Sequence, residues 1–195
     1  MDRNTGLPQE PMFGNLASKG LKLIDILIYF TIASFEKTSN LLTPTYKELA
    51  HKSGCSINVV KASIKRLSRT DFLKVTIIKK HIKKRAYELL KATIPRYVPT
   101  EVFQTKELTP IQKASLLLIV SGASYWDGGC PYKIARAAGI GVIPFRRNCK
   151  VLHETNYILE EFCPRENNQW EPYIFMFTSK VDWEPFLEAR NSNGA

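Results

Sequence analysis

The stretch that decides the fold is Leu49 to Leu67, LAHKSGCSINVVKASIKRL. Gly54 stands where a first short helix must stop, because glycine takes the positive φ of a helix C-terminus without a Cβ clash. Two residues on, Ser56 is a good N-cap for a second helix. In that helix Val60, Ile64 and Leu67 recur at i, i+4 and i+7 and so share one buried face. Asn58, Lys61, Ala62, Lys65 and Arg69 fall on the opposite face. Upstream, Thr45-x-x-Glu48 has the spacing of a capping box for the first helix. An apolar back with a basic front has the shape and charge needed to enter a major groove.

Working downstream, Asp71 sits where a left-handed cap is wanted after the second helix. Phe72-Leu73 and Val75-Thr-Ile-Ile, then KKHIKKR, then Ala86-Tyr-Glu-Leu-Leu, read as two strands around a polar connector, a hairpin. The connector holds Lys79, Lys80, Lys83, Lys84 and Arg85, five cations in seven residues. Upstream, residues 1–17 carry Pro8, Pro11 and two glycines and read as an extended arm. A helix is expected over about 19–36, with Leu21, Ile24, Ile28, Phe30, Thr31 and Phe35 giving it a wide apolar face.

Residues 92–106 contain Pro95 and Pro99, show little periodicity and read as a linker. Beyond it the pattern returns. Leu108-Thr-Pro-Ile-Gln112 supplies a Thr cap, Pro at the first helical position and Gln at the third. At an offset of 85, Leu49 meets Ile134, Ala50 meets Ala135, Gly54 meets Gly139, Val60 meets Phe145, Ile64 meets Cys149 and Leu67 meets Leu152. The register continues, since Asp71-Phe72-Leu73 meets Asn156-Tyr157-Ile158. One offset held over so many positions marks an internal repeat. The second copy replaces Ser56 by Gly141 and Val59 by Pro144, losing the capping hydroxyl and the N–H it would bond together. Pro144 disfavours helix at Ile143, so a start one residue late is expected. The outward face becomes Ile143, Arg146, Arg147, Lys150 and Glu154. A second hairpin, about 157–163 and 172–178, holds Glu160, Glu161, Glu166 and Glu171 against Arg165 and is acidic. The tail after it carries Trp183, Phe186 and Leu187 for packing.

Charge separates the halves. Residues 1–100 hold 18 Lys and Arg against 7 Asp and Glu, a net +11, and residues 101–195 hold 10 against 11, a net −1. A positive field in the first half favours a polyanion. The longest apolar run, Ile24 to Phe35, is interrupted by Asp25 and Thr31 and too short to span a bilayer. The N-terminus lacks the apolar core of a secretory signal. Cys55, Cys130, Cys149 and Cys163 lie far apart with no C-x-x-C, which favours reduced thiols over a disulfide framework or zinc site. There is no P-loop, no G-x-S-x-G and no H-E-x-x-H. His51, His81 and His153 stand apart, and Glu160 and Glu161 alternate across a strand, so no catalytic constellation forms. No enzyme activity, cofactor or metal site is expected.

The motif L-A-x-x-x-G-x-S-x-x-x-V-x-x-x-I-x-x-L, met at Leu49, Ala50, Gly54, Ser56, Val60, Ile64 and Leu67, resembles that of winged helix-turn-helix domains of bacterial and phage regulators. Many of those proteins carry Arg where this chain has Ala62, and the second copy has it at Arg147. The resemblance covers roughly 19–90 and 108–178. Two such domains in tandem also resemble the layout of plasmid and phage replication initiators. The resemblance implies a mainly α fold with small β-hairpins (α+β), built as an arm (1–17), a basic winged helix (18–91), a linker (92–106), a second winged helix (107–179) and a tail (180–195). It implies a recognition helix at 56–69 in the major groove and a basic wing on the flanking backbone.

The expectation is therefore a cytoplasmic, nucleoid-associated protein that binds double-stranded DNA at specific sequences as a transcription regulator. Asn58, Lys61, Lys65 and Arg69 face the groove. Lys79, Lys80, Lys83, Lys84 and Arg85 hold phosphates, and Arg146, Arg147 and Lys150 make a secondary contact. The alternatives are a replication initiator binding origin repeats and a tandem winged-helix adaptor that binds protein. A homodimer or protein partner would use the second domain and the tail.

Overall fold

A computed structural model describes residues 13–35, 43–79, 84–90, 99–122, 131–164, 170–175, 180, 181 and 183. Its elements are α1 (Leu23–Ala33), α2 (Tyr46–Ser53), α3 (Ile57–Leu67), β1 (Leu73–Lys79), β2 (Lys84–Leu89), α4 (Thr100–Gln104), α5 (Pro110–Gly122), α6 (Pro131–Ala137), α7 (Val142–Glu154), β3 (Leu159–Pro164) and β4 (Trp170–Phe175). Both strand pairs are antiparallel hairpins, with Leu73 opposite Leu89 in the first and Leu159 opposite Phe175 in the second. The order helix, helix, helix, hairpin thus occurs twice, and α3 and α7 begin 85 residues apart. The family of elements is α+β, with small sheets on a helical body.

The body is organised around α1 and α5, which pack against each other. Every residue of α1 from Asp25 to Ala33 is buried, as is α5 from Lys113 to Ser121. A helix apolar on all sides must be covered on all sides. For α1 the cover comes from α5, α2 and α3, and for α5 also from α7. One contiguous hydrophobic core therefore runs through both halves of the chain. Phe13, Tyr29, Phe30 and Phe72 form an aromatic knot within it, with ring centroids 5.3–6.1 Å apart in mostly edge-to-face geometry.

Local signals explain the helix ends. Thr45 and Glu48 close the capping box of α2, Thr45 Oγ1 accepting from Glu48 N–H at 3.2 Å and Glu48 Oε2 accepting from Thr45 N–H at 2.6 Å. Hydrogen bonding from Thr45, its backbone N–H first and then its side chain, holds the Glu48 carboxyl below its ordinary range. Gly54 ends α2 at φ 71° and Gly139 follows α6 at φ 65°. Ser56 Oγ accepts from Val59 N–H at 3.3 Å and caps α3, while Gly141 gives α7 no side-chain cap.

Four expectations are corrected. Residues 13–17 are not part of an extended arm: Phe13 and Leu16 are fully buried, and Leu16 N–H donates to Ala138 O at 2.9 Å. Residues 1–12 lie outside the described residues. The stretch read as a linker contains α4, which buries Val102 and Phe103 although prolines flank it. Helix α7 does not start late, because Pro144 is its third residue, where a missing N–H has no intrahelical partner to lose. Asp71 is not left-handed. The end of α3 is closed by Thr70, whose hydroxyl donates to Leu67 O at 2.7 Å and accepts from Phe72 N–H at 3.4 Å. Asn156 does take the left-handed form, at φ 59°, and Tyr157 N–H then reaches back to Leu152 O at 2.8 Å.

Candidate nucleic-acid interface

Helix α3 has two unlike faces. Val60, Ile64 and Leu67 are buried in the core, and Asn58, Lys61, Ala62, Lys65 and Arg69 are all exposed. Between the faces stands Arg66, which sequence spacing did not single out. Its guanidinium makes a bidentate pair with Asp25 of α1, Nε to Oδ2 at 2.7 Å and Nη2 to Oδ1 at 2.6 Å. Asp25 is completely buried and also accepts from Lys22 N–H at 2.8 Å, capping α1. The bonds it donates to Asp25 raise the Arg66 pKa against the opposing effect of burial, so the guanidinium stays charged. Arg66 is thus the bolt that fixes α3 on α1 and sets which residues of α3 face outward. At the offset of 85 the same two places hold Pro110 and Val151, so this ion pair has no counterpart there.

Tyr46, the first residue of α2, links α3 to the hairpin. The Arg85 guanidinium lies 4.6 Å from its ring centroid and the Lys61 ammonium 5.9 Å. One residue expected to face the groove, Lys61 on α3, and one expected to hold phosphate, Arg85 on β2, therefore meet on a single aromatic plate. Lys84 is exposed beside Arg85. Lys80, Lys83 and the side chain of Lys79 lie outside the described residues. Within the hairpin Lys74 pairs with Glu88 at 3.0 Å, an exposed cross-strand pair.

Helix α7 repeats the arrangement with different residues. Phe145, Cys149 and Leu152 are buried, and Arg146, Arg147 and Lys150 are exposed. Lys150 lies 3.7 Å from Glu154, one turn on, which offsets part of its charge. Ile143 is 68% exposed, more than any other large hydrophobic residue of the described part. On α6 the Arg136 guanidinium stacks 4.1 Å from the Tyr132 ring. Among the described residues no group of three His, Cys, Asp or Glu could hold a metal ion, and no helix is long and apolar enough to cross a membrane. Cys55 is a free thiol, and burial pushes its pKa up.

Residues 19–73 match the model of a family described as helix-turn-helix domain. The match takes in α1, α2 and α3 and ends at the first residue of β1, so the basic face of α3 lies inside it. It covers a little over a quarter of the chain and points to DNA binding by the first half. No curated protein matches the chain.

Proposed function

We propose that this is a sequence-specific, double-stranded DNA-binding protein without enzymatic activity that regulates transcription in the cytoplasm. One observation carries the reading. In the part of the chain matching a helix-turn-helix domain, α3 buries one face completely and turns Asn58, Lys61 and Lys65 to solvent, with Arg69 exposed just past its end. Asn58, Lys61, Lys65 and Arg69 then face the groove, while Lys84 and Arg85 grip phosphates. The second set of helix, helix, helix and hairpin is a second winged helix, with α7 as its reading helix. Its acidic hairpin keeps off the backbone, so most phosphate affinity belongs to the first half.

Replication initiation is the second reading. What favours it is the recurrence of a basic outward helix at α7, since two reading helices on one chain suit repeated origin elements. The experiment is an equilibrium titration of the full chain with duplexes at rising salt. Binding should weaken by about 0.9 log units per log unit of salt for each phosphate neutralised. Charge reversal at Lys79, Lys80, Lys83 and Lys84 should weaken all duplexes alike, and replacing Asn58 or Lys65 should alter preference among them. Absence of duplex binding at low salt would refute the proposal and leave the protein-binding adaptor.

A further inference from the structure

The two halves touch in both directions through corresponding regions, by different residue pairs. Ahead of α1, residues 15–17 lie on the turn between α6 and α7. Leu16 N–H bonds Ala138 O, and a Cβ on Gly139 would overlap the Asn15 side-chain carbonyl and press on Ala17. Ahead of α5, the segment from α4 to Pro110 lies on α2 and the turn that ends it. The Lys52 ammonium stands 5.4 Å from the Phe103 ring centroid, and a Cβ on Gly54 would lie 3.7 Å from Pro110 Cγ. Shifted by the offset of 85, α4 (100–104) becomes 15–19, and Gly54 becomes Gly139. Each half thus lays the region ahead of or opening its central helix against the end of the other half's second helix, although the residue pairs differ. Between them α1 and α5, themselves equivalent, pack together. Reciprocal contact of this kind defines an isologous pair related by a two-fold axis. A head-to-tail arrangement would give one crossing without its reverse.

We infer that the halves form a dimer within one chain, with an approximate two-fold axis between α1 and α5. Its DNA target is then a pair of unequal half-sites in inverted orientation, one read by α3 and the other by α7. This rests on the DNA-binding reading above and on α7 being a reading helix. The inequality can be placed on particular residues. Asn58 and Ile143 are each the second residue of their helix, where base edges are contacted. Asn suits the paired donor and acceptor of adenine, and an apolar side chain suits the thymine methyl. An isoleucine so exposed contributes nothing to the core, and a methyl contact in the groove gives it a partner. The cations at the next positions correspond, Lys61 to Arg146 and Lys65 to Lys150, whereas Arg69 corresponds to Glu154. The α3 half-site therefore carries the greater affinity.

The test uses the full chain. Duplexes are selected from a randomised pool, and the recovered half-sites are then rebuilt as inverted, direct and single sites at matched salt. The inverted pair should bind at least about 10-fold tighter than the direct pair. Ile143→Asn should change base preference at one base pair of the α7 half-site only, by about 5- to 150-fold, toward the base selected by Asn58 at the mirror position. Asn58→Ile should do the reverse in the other half-site. Preference for half-sites in the same orientation, or unchanged base preference with Ile143→Asn, would overturn the inference while leaving DNA binding intact. Failure to bind any duplex would instead remove the reading on which it rests.

Discussion

Removing Arg66 should destabilise the protein far more than removing any cation of the outer face of α3. Asp25 is fully buried and holds two charge-assisted bonds from Arg66, at 2.6 and 2.7 Å, plus one from Lys22 N–H. Arg66→Ala deletes both charged bonds and leaves a carboxylate in the core with one backbone donor. Breaking a buried pair from one side costs about 3–5 kcal/mol. In a chain of this length that corresponds to a fall in Tm of roughly 6–20 °C. Asp25→Ala removes the other partner and the cap of α1, the cap alone being worth about 1 kcal/mol. Because each single change strands the partner, the double variant should cost at least about 2 kcal/mol less than the sum of the two. The places 85 residues on hold Pro110 and Val151, neither of which carries a charge. Urea unfolding of the four proteins, fitted with a common slope, measures the coupling. Additive costs, or an Arg66→Ala loss below about 1 kcal/mol, would refute the assignment of Arg66 as the residue that fixes α3.

Other consequences follow from single residues. Gly139→Ala places a methyl on the Asn15 carbonyl at a positive φ, so it should cost clearly more stability than Gly54→Ala, where only the roughly 1–2 kcal/mol of left-handed strain applies; thermal unfolding compares them. Ser56→Ala should lose about 1 kcal/mol of cap, whereas Gly141→Ser should gain nothing, because Pro144 has no N–H to offer the new hydroxyl, and urea midpoints check both. Replacing exposed Lys65 or Lys84 with Ala should leave Tm within about 2 °C. If either cation touches a phosphate, its loss should lower the salt slope of DNA binding by about one.

The helices nearest the reading face were legible because their signals are local. Thr45, Glu48, Gly54 and Ser56 each act on a backbone group within three residues, and Val60, Ile64 and Leu67 fix one face by spacing alone. The offset of 85 carried the same reading to Gly139, Phe145 and Leu152. What sequence could not show was any contact made across the chain. Asp25 reads as an interruption in an apolar run until Arg66, 41 residues on, is seen to reach it. Phe13 and Leu16 read as part of a proline-rich arm, since their cover and their bond to Ala138 come from distant segments. The left-handed cap expected at Asp71 failed for a local reason, because the Thr70 hydroxyl had already satisfied the end of α3.

The central claim is that α3 reads sequence in double-stranded DNA. Its most direct test is the ratio of affinities of the full chain for a selected duplex and for a scrambled one, at physiological salt, with and without Asn58→Ala and Lys65→Ala. The account predicts a ratio of at least about 10³ that collapses toward one in the double variant while general affinity for duplex persists. A ratio near one for the unaltered protein, or a high ratio untouched by the two substitutions, would contradict it.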